Sequence, residues 1–431
     1  MQKSISRIRY STVPVVNQFP WSSWETKKKP RLLILGTGWA STTILKNLKK
    51  NQYETIVGTV EYRSLLENTR KICRHSGAHY FAASADDVDF DKKTVLAIDT
   101  DNNQVEIPYD KLVIALGARN ETYGIPGVKE NVHFCKTIKD ARNIRDKLTT
   151  IFEKASNPII SEEERQRLLT FVVVGGGPTG VRHVKVILIQ GSAHILNTFD
   201  EKISEYAEER FKRQNIKVIT QAFVQSVDQK SITYKVKKPD GSMETNVTDY
   251  GLCVWSTGIA MHETTQKLSS KLTDQTHRRA LNVDSGLRLI GAKDAYALGD
   301  CATIVLPNIG DLILSQCHED MHVEELNSII NQVTEKHPQS HSFLSGLKEY
   351  IEGFGDSPIK LQELKTWFEK TAAKTTTLPA TAQVASQQGY YLAKKLNKLG
   401  KYDSKDWENV EERFKNFRYN HLGNFSYVGG G

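Results

Sequence analysis

Two glycine turns hold the residues of this chain whose types and spacing could do chemistry. The first is Gly36-x-Gly38-x-x-Ser41, directly after the apolar run Leu32–Leu35. The second is Gly175-x-Gly177-x-x-Gly180, directly after Phe171–Val174. In such a turn the first glycine permits the tight bend and the second lets the backbone approach a pyrophosphate. The third position needs a small residue for close helix–strand contact, and Ser41 meets that need. The phosphate is held because a helix N-terminus offers unpaired N–H groups and the positive end of its dipole. The acid that usually bonds a ribose hydroxyl, roughly 20 residues on, would fall near Glu54 or Glu61, and neither follows a clear second strand. Two further strand ends matter. "VWSTG" places Thr257 and Gly258 after an apolar run, and "YALGD" places Asp300, a carboxylate able to accept a ribityl hydroxyl, after another. Taken together, these features identify a flavoprotein that binds two dinucleotides.

The elements that must position these residues follow an α/β plan. "RLLILGTGWASTTILKNL" reads as strand, turn and helix, and "DKLVIALGARN" as a strand closing on a turn. Residues 139–156 read as a helix, and "ISEYAEERFKRQNIKVIT" as a helix followed by a strand. The two strand–glycine units stand about 140 residues apart. That spacing implies two Rossmann-like dinucleotide-binding domains, the second inserted in the first. The expected division is a tail at 1–29, a first nucleotide domain at 30–165 resumed at 286–304, and a second at 166–285. A polar helical insertion follows at 305–378, and an amphipathic helix ("LPATAQVASQQGYYLAKKL") opens the last part, 379–431.

Composition bounds the function. The chain has 431 residues, 39% hydrophobic and 25% charged, with a net charge of +8 and pI near 9.0. Its basic residues are dispersed among acids, so nucleic acid is not the expected partner. Attraction to anionic lipid or simple solubility accounts for the excess. Five scattered cysteines show no CxxC, which signals neither zinc nor a redox-active disulfide. No run reaches the roughly 18 apolar residues of a membrane span. The start, "MQKSISRIRYSTVPVVNQF", is basic, rich in hydroxyls and free of acids, as in a mitochondrial presequence cleaved near Arg9–Ser11. A plain basic tail has the same composition. In the insertion, His318, Glu319, Asp320 and His322 read as a polar helical face, because no segment matches the calcium-loop pattern.

With "LLILGTGWAS", "FVVVGGGPTGV", "HILNTFDEKISEYA", "VWSTG", "YALGDC" and "TAQVASQQGYYLA" in this order, the chain resembles the type II, non-proton-pumping NADH:ubiquinone oxidoreductases of fungal mitochondria. The resemblance covers about residues 30–305 and 378–431. It implies FAD on Gly36, Gly38 and Ser41, with Asp300 at the ribityl chain. It implies NADH or NADPH on Gly175, Gly177 and Gly180, with Gln190 near the adenosine ribose. Gln there does not repel a 2′-phosphate as Glu would. Ala382, Gln383 and Gln387 would line the quinone side, with Ser386 where yeast-type members have His. The implied partners are ubiquinone and the surface of the mitochondrial inner membrane, on the intermembrane-space face, and a homodimer is also compatible.

The sequence departs from this family in three places. "YETIVGTVEY" lacks a loop expected against the flavin, and the chain ends at "SYVGGG" before the helices that lie on the membrane. In addition, only nine residues separate Val174 from Val184. Parallel neighbours ordinarily need a crossover of about a dozen residues or more, so the strands flanking this turn are expected not to pair in parallel. These gaps also allow a second reading, an impaired or mis-spliced family member that keeps a partial nucleotide fold without activity. A disulfide or sulfide reductase would need a cysteine pair by the flavin, and Cys73 and Cys135 lack that spacing.

Overall fold

Leu32, Leu33, Ile34 and Leu35 are each at most 2% exposed, the continuous apolar run of a strand covered on both faces. The computed structural model describes residues 29–50, 52–58, 69–175, 184–196, 201–305, 308–337, 340–355, 357–371 and 378–423. The expected presequence, Glu61, Gly177 and Gly180 lie outside the described residues. Arg31–Leu35 is central in a five-stranded sheet ordered Ala295–Ala297, Lys111–Ile114, Arg31–Leu35, Glu54–Gly58, His79–Phe81. All four pairings are parallel. A second sheet repeats the plan in the order Ile216–Ile219, Lys185–Ile189, Thr170–Val174, Leu252–Trp255, His133–Phe134, again parallel throughout. Each sheet is accompanied by a three-stranded antiparallel meander, at 83–108 and 222–249. The α/β class with two dinucleotide-binding folds is as the sequence implies.

The chain divides into two compact units. One comprises residues 1–118 with 261–421, and the other 119–260 with 422–431. The sequence reading puts these crossings at 165–166 and 285–286. The earlier first crossing has a packing cause: His133–Phe134 pairs with Leu252–Trp255, and Ile151 and Ala155 of the helix Ile138–Ala155 share a core with Leu168, Phe171 and Leu252. Likewise Leu281 and Val283 belong to the core of the first sheet, and Thr264 donates to the Ala85 carbonyl at 2.8 Å.

The strands on either side of the second glycine turn are parallel neighbours, contrary to the expectation. Thr170–Val174 pairs with Lys185–Ile189 over five residues in unbroken register. The reason is reach. A return along a five-residue strand covers about 17 Å and one lateral step adds about 5 Å. Ten extended residues reach about 33 Å. A helical crossover is the usual solution for parallel neighbours, and a connection of this length can make the return without one.

The insertion has its own core, built from Ile309, Ile313, Met321, Leu326, Ile330, Leu347, Ile351, Ile359 and Leu364 among others. Its helices are Ile309–Leu314, Val323–Lys336, His341–Glu352 and Leu361–Thr371. They form two helix–loop–helix pairs, joined where Ile359 N–H donates to the Met321 carbonyl at 2.8 Å. Within the first loop region His318 is exposed and contacts Glu325 at 3.0 Å. Among the described residues no group of three or more His, Cys, Asp or Glu is placed to hold a metal.

At the amino-terminal edge of the first sheet lies a buried ionic cluster. Lys111, only 3% exposed, meets Asp294 at 2.8 Å and Glu411 at 2.6 Å. The Tyr296 hydroxyl donates to the same Glu411 oxygen at 2.5 Å, and the Trp407 ring faces the ammonium at 4.8 Å. Burial alone would raise the Asp294 carboxyl, but hydrogen bonds from Lys111 and Lys93 outweigh it and hold it below its ordinary range. Removing one partner of such a cluster strands the others without compensation. We therefore expect Lys111→Met to lower stability by about 3–5 kcal/mol in denaturant titration. Because the Asp294 pKa is depressed in the folded state, its contribution is present above the ordinary aspartate value. It is lost as pH falls below about 4. In Lys111→Met this acid-side loss should shrink, which melting curves between neutral pH and pH 3 would register.

Candidate functional site

Parallel register sets the first half of the site. Leu35 lies beside Ile114, and Ile114 beside Ala297, so three chain segments leave the sheet in one row at its carboxyl edge. The first glycine turn begins there. Gly36 has φ +108°, and a methyl group on it would stand 2.2 Å from the Ala115 carbonyl oxygen. Only glycine satisfies both conditions. Gly38 caps the helix Trp39–Asn47 in an extended conformation, with no side chain bonded to the cap and no acid in the first turn. A methyl group at Gly38 would meet nothing within 4 Å. The helix therefore presents its amino end with no capping side chain and no acid of its own first turn. Ser41 is fully buried, and its hydroxyl finds no partner among the described residues.

Asp300 occupies a single 3-10 turn, Gly299–Cys301, that follows the strand Ala295–Ala297. Gly299 has φ +77°, and its N–H donates to Gln388 Oε1 at 2.7 Å. A methyl group on Gly299 would lie 3.6 Å from Ala385 Cβ and 3.9 Å from Ala40 Cβ. The Asp300 turn, the first glycine turn and the helix Ala382–Leu399 thus converge. Gly389 allows the last approach, since a methyl there would stand 2.5 Å from the Ala40 carbonyl oxygen. An open glycine cradle, a helix end with no capping side chain, an orphaned hydroxyl and a strand-end carboxylate fit the diphosphate and polyol of FAD. Glu54 does not belong to this group. It begins its strand, opposite Arg31, and so lies at the amino edge of the sheet rather than the carboxyl edge.

The thiol next to Asp300 is not a redox partner. Cys301 is wholly buried and donates to the Ile114 and Leu298 carbonyls at 3.5 and 3.3 Å. Burial pushes its pKa up to about 11. A protonated, hydrogen-bonded thiol packs and does not attack. All five cysteines are free.

The second sheet repeats the arrangement. Val174 stands between Ile189 and Trp255, so Gly175, Gln190 and the Thr257–Gly258 pair leave one edge together. Gly175 has φ +101°, and a methyl group on it would lie 2.9 Å from both Ser256 backbone atoms and Thr257 Cβ. Gly258, at φ +77°, sits against Glu121 and Tyr123 with equally little room. Ser256 N–H donates to the Val174 carbonyl at 2.8 Å. The Gln190 backbone continues the ladder, donating to Ile219 and accepting from Ala222 at 2.9 Å each. Its side chain is fixed: Nε2 donates to Ser192 Oγ at 2.6 Å, and Ser192 donates to the His194 carbonyl at 2.8 Å. The edge therefore presents an oriented neutral amide.

Ala382 opens the helix Ala382–Leu399 and is exposed, while Gln383 and Gln387 follow on one face. The Tyr419 hydroxyl donates to Gln383 Oε1. Gln387 takes both backbone groups of Asn420, accepting from its N–H at 2.9 Å and donating to its carbonyl at 2.7 Å. Gln388, Tyr419 and Asn420 were not legible as site residues, because their partners lie 33 residues or more away in sequence.

Residues 30–333 match the pyridine nucleotide-disulphide oxidoreductase family. An external alternative NAD(P)H-ubiquinone oxidoreductase B2, mitochondrial, of Arabidopsis thaliana is 34% identical over 94% of this chain and 81% of its own length. The external alternative NADH-ubiquinone oxidoreductase, mitochondrial, of Yarrowia lipolytica is 34% identical over 73% of this chain and 63% of its own. Among solved structures, NDH2 from Plasmodium falciparum in complex with NADH superimposes with a TM-score of 0.79, at 27% identity, over 94% of this chain and 89% of that one. With two parallel sheets, a glycine turn on each and relatives of this kind, the chain belongs to the pyridine nucleotide-disulphide oxidoreductases, in the group of the external alternative NAD(P)H-ubiquinone oxidoreductases.

Proposed function

We propose that the protein is a flavin-dependent NAD(P)H:ubiquinone oxidoreductase that pumps no protons. The observation that carries this reading is the convergence of the Gly36–Ser41 turn, the Gly299–Cys301 turn and the helix Ala382–Leu399 at one sheet edge. The net reaction takes NAD(P)H, a quinone and one proton to NAD(P)⁺ and the quinol. FAD, when bound, supplies the two-electron chemistry that links the two substrates.

The protein's own part is to hold and orient. Gly36 and Gly38 bring backbone to the FAD pyrophosphate, the amino end of Trp39–Asn47 faces its charge, Ser41 lies beneath, and Asp300 accepts from the polyol. In the second unit, Gly175, Thr257 and Gly258 shape the edge for the nicotinamide nucleotide, and Gly177 and Gly180, outside the described residues, share that role by the motif. Gln190 meets the adenosine ribose. As a neutral amide held by Ser192 it carries no charge to repel a 2′-phosphate, so both NADH and NADPH are accepted. Ala382, Gln383 and Gln387 form the quinone side.

The relatives' names, external and mitochondrial, support a location at the mitochondrial inner membrane, on its intermembrane-space face. No helix among the described residues is long and apolar enough to cross a membrane, and the membrane surface is the partner that the resemblance implies. A homodimer is part of the same proposal. The impaired-product reading rests on three gaps, and at one of them, the short second connection, the flanking strands keep full parallel register.

The purified full chain should carry an absorbance band near about 450 nm from bound flavin and should oxidise NADH with a soluble quinone. A colourless, folded protein would refute the assignment of this activity. Two glycines separate folding from binding. Gly38→Ala should fold and melt like the parent, because its methyl enters open space, yet lose most of its flavin. Gly36→Ala should fail at folding, since φ and the Ala115 carbonyl both oppose it. Flavin-to-protein ratio and melting temperature, read together, check both. Gln190→Glu should lower the ratio of kcat/KM for NADPH to that for NADH by about tenfold or more, measured in paired assays.

A further inference from the structure

The backbone N–H of Gly299 lies past the end of its strand. Leu298 N–H continues the ladder, donating to the Ile114 carbonyl at 3.1 Å, and Gly299 then turns away at φ +77°. A buried backbone N–H needs an acceptor, and here it comes from a side chain. Gln388, in the second turn of the helix Ala382–Leu399, offers Oε1 at 2.7 Å and is itself 3% exposed. The bond uses the oxygen of the amide, which a carboxyl group at this position would also supply.

Two tethers therefore bracket Asp300. On one side Gln388 holds Gly299. On the other the wholly buried Cys301 thiol donates to the Ile114 and Leu298 carbonyls. The next residue along the helix reaches the other half of the flavin edge. A methyl group on Gly389 would stand 2.5 Å from the Ala40 carbonyl oxygen and 3.1 Å from Thr43 Cβ, both on the helix Trp39–Asn47. One step of the helix thus touches two elements: residue 388 meets the carboxylate turn, and residue 389 meets the helix that follows the first glycine turn. The separation between these two elements runs through this pair.

We propose that Gln388 is a positioning residue for the flavin: by holding the Gly299 N–H it keeps Asp300 at a fixed distance from the Gly36–Ser41 turn. This rests on the reading of the first unit as the FAD site. A diphosphate and a polyol on one molecule are gripped together only while their two anchors keep one separation. A side chain that fixes the second anchor through the backbone therefore governs how long the flavin stays.

The test uses the full flavin-loaded chain, Gln388→Met, which keeps the approximate volume and removes the acceptor, and Gln388→Glu, which keeps an acceptor oxygen. Flavin release after dilution into flavin-free buffer is followed by fluorescence, with circular dichroism and the NADH KM of the loaded fraction as controls. Gln388→Met should release flavin about tenfold faster, Gln388→Glu within about twofold of the parent, and neither control should change. If Gln388→Met releases flavin at the parental rate, Gln388 has no such role, while the FAD reading stands. If Gln388→Glu releases it as fast as Gln388→Met, the acceptor oxygen is not what holds the turn, and the proposal fails. Faster release together with an altered dichroism spectrum or NADH KM would likewise overturn it, by making Gln388 a packing residue only. A parent chain that folds without flavin would instead remove the FAD reading itself, and this proposal with it.

Discussion

Parallel strand register is the constraint on which the rest of this structure depends. In a parallel sheet every strand ends at the same edge, so residues remote in sequence are delivered to one line. Leu35, Ile114 and Ala297 stand abreast, and each of them leads into a turn. Gly36 and Asp300 are brought to one edge of the sheet by this means. The second sheet uses the same device with Ile189, Val174 and Trp255, which lead into Gln190, Gly175 and Ser256–Gly258. Register in turn depends on burial, since strands apolar on both faces have no polar side to slip towards water.

The C-terminal segment links the two ends of the helix Ala382–Leu399. Glu411 and Trp407 close the buried cluster around Lys111 at the amino edge of the sheet. A few residues later, Tyr419 and Asn420 hold the glutamines at the other end of the Ala382–Leu399 helix. Between them Phe417 is buried and Phe414 stacks edge-on with Tyr391 at 5.6 Å. A complete ion cluster contributes modestly to stability, whereas a broken one is costly. The undocked segment would leave Lys111 without Glu411, so docking at one edge helps keep Tyr419 and Asn420 in place at the other. Lys395 adds to this tension: burial pushes its pKa down to about 8, and its ammonium has the Gly286 carbonyl at 3.1 Å as an acceptor.

Much of this was legible in the sequence, for a definable reason. Gly36, Gly38, Gly175, Asp300 and Gln190 are placed by backbone conformation or strand-end position, and both are encoded locally by an apolar run closing on a turn. The contacts that escaped are long-range pairs of polar side chains. Lys111 precedes Leu112 in what reads as a plain buried strand, and nothing nearby announces Glu411, 300 residues on. Tyr419 and Gln383 are equally silent, because hydrogen-bond partners leave no periodicity. The misjudged pairing of Thr170–Val174 with Lys185–Ile189 has a different origin. A rule drawn from helical crossovers stood in for the geometric limit, and the limit is chain reach.

Close backbone approach is the device common to both sheet edges. In the first unit, Gln388 bonds the Gly299 turn, Gly389 meets the Ala40 carbonyl, and Gly36 meets the Ala115 carbonyl. Among the described residues of the second unit, Gly175 meets Ser256 and Thr257, Gly258 meets Glu121 and Tyr123, and Ser192 holds Gln190. At Gly36, Gly175 and Gly258 a side chain would collide with the neighbouring segment, so the shape of each edge and the packing of its sheet are one requirement.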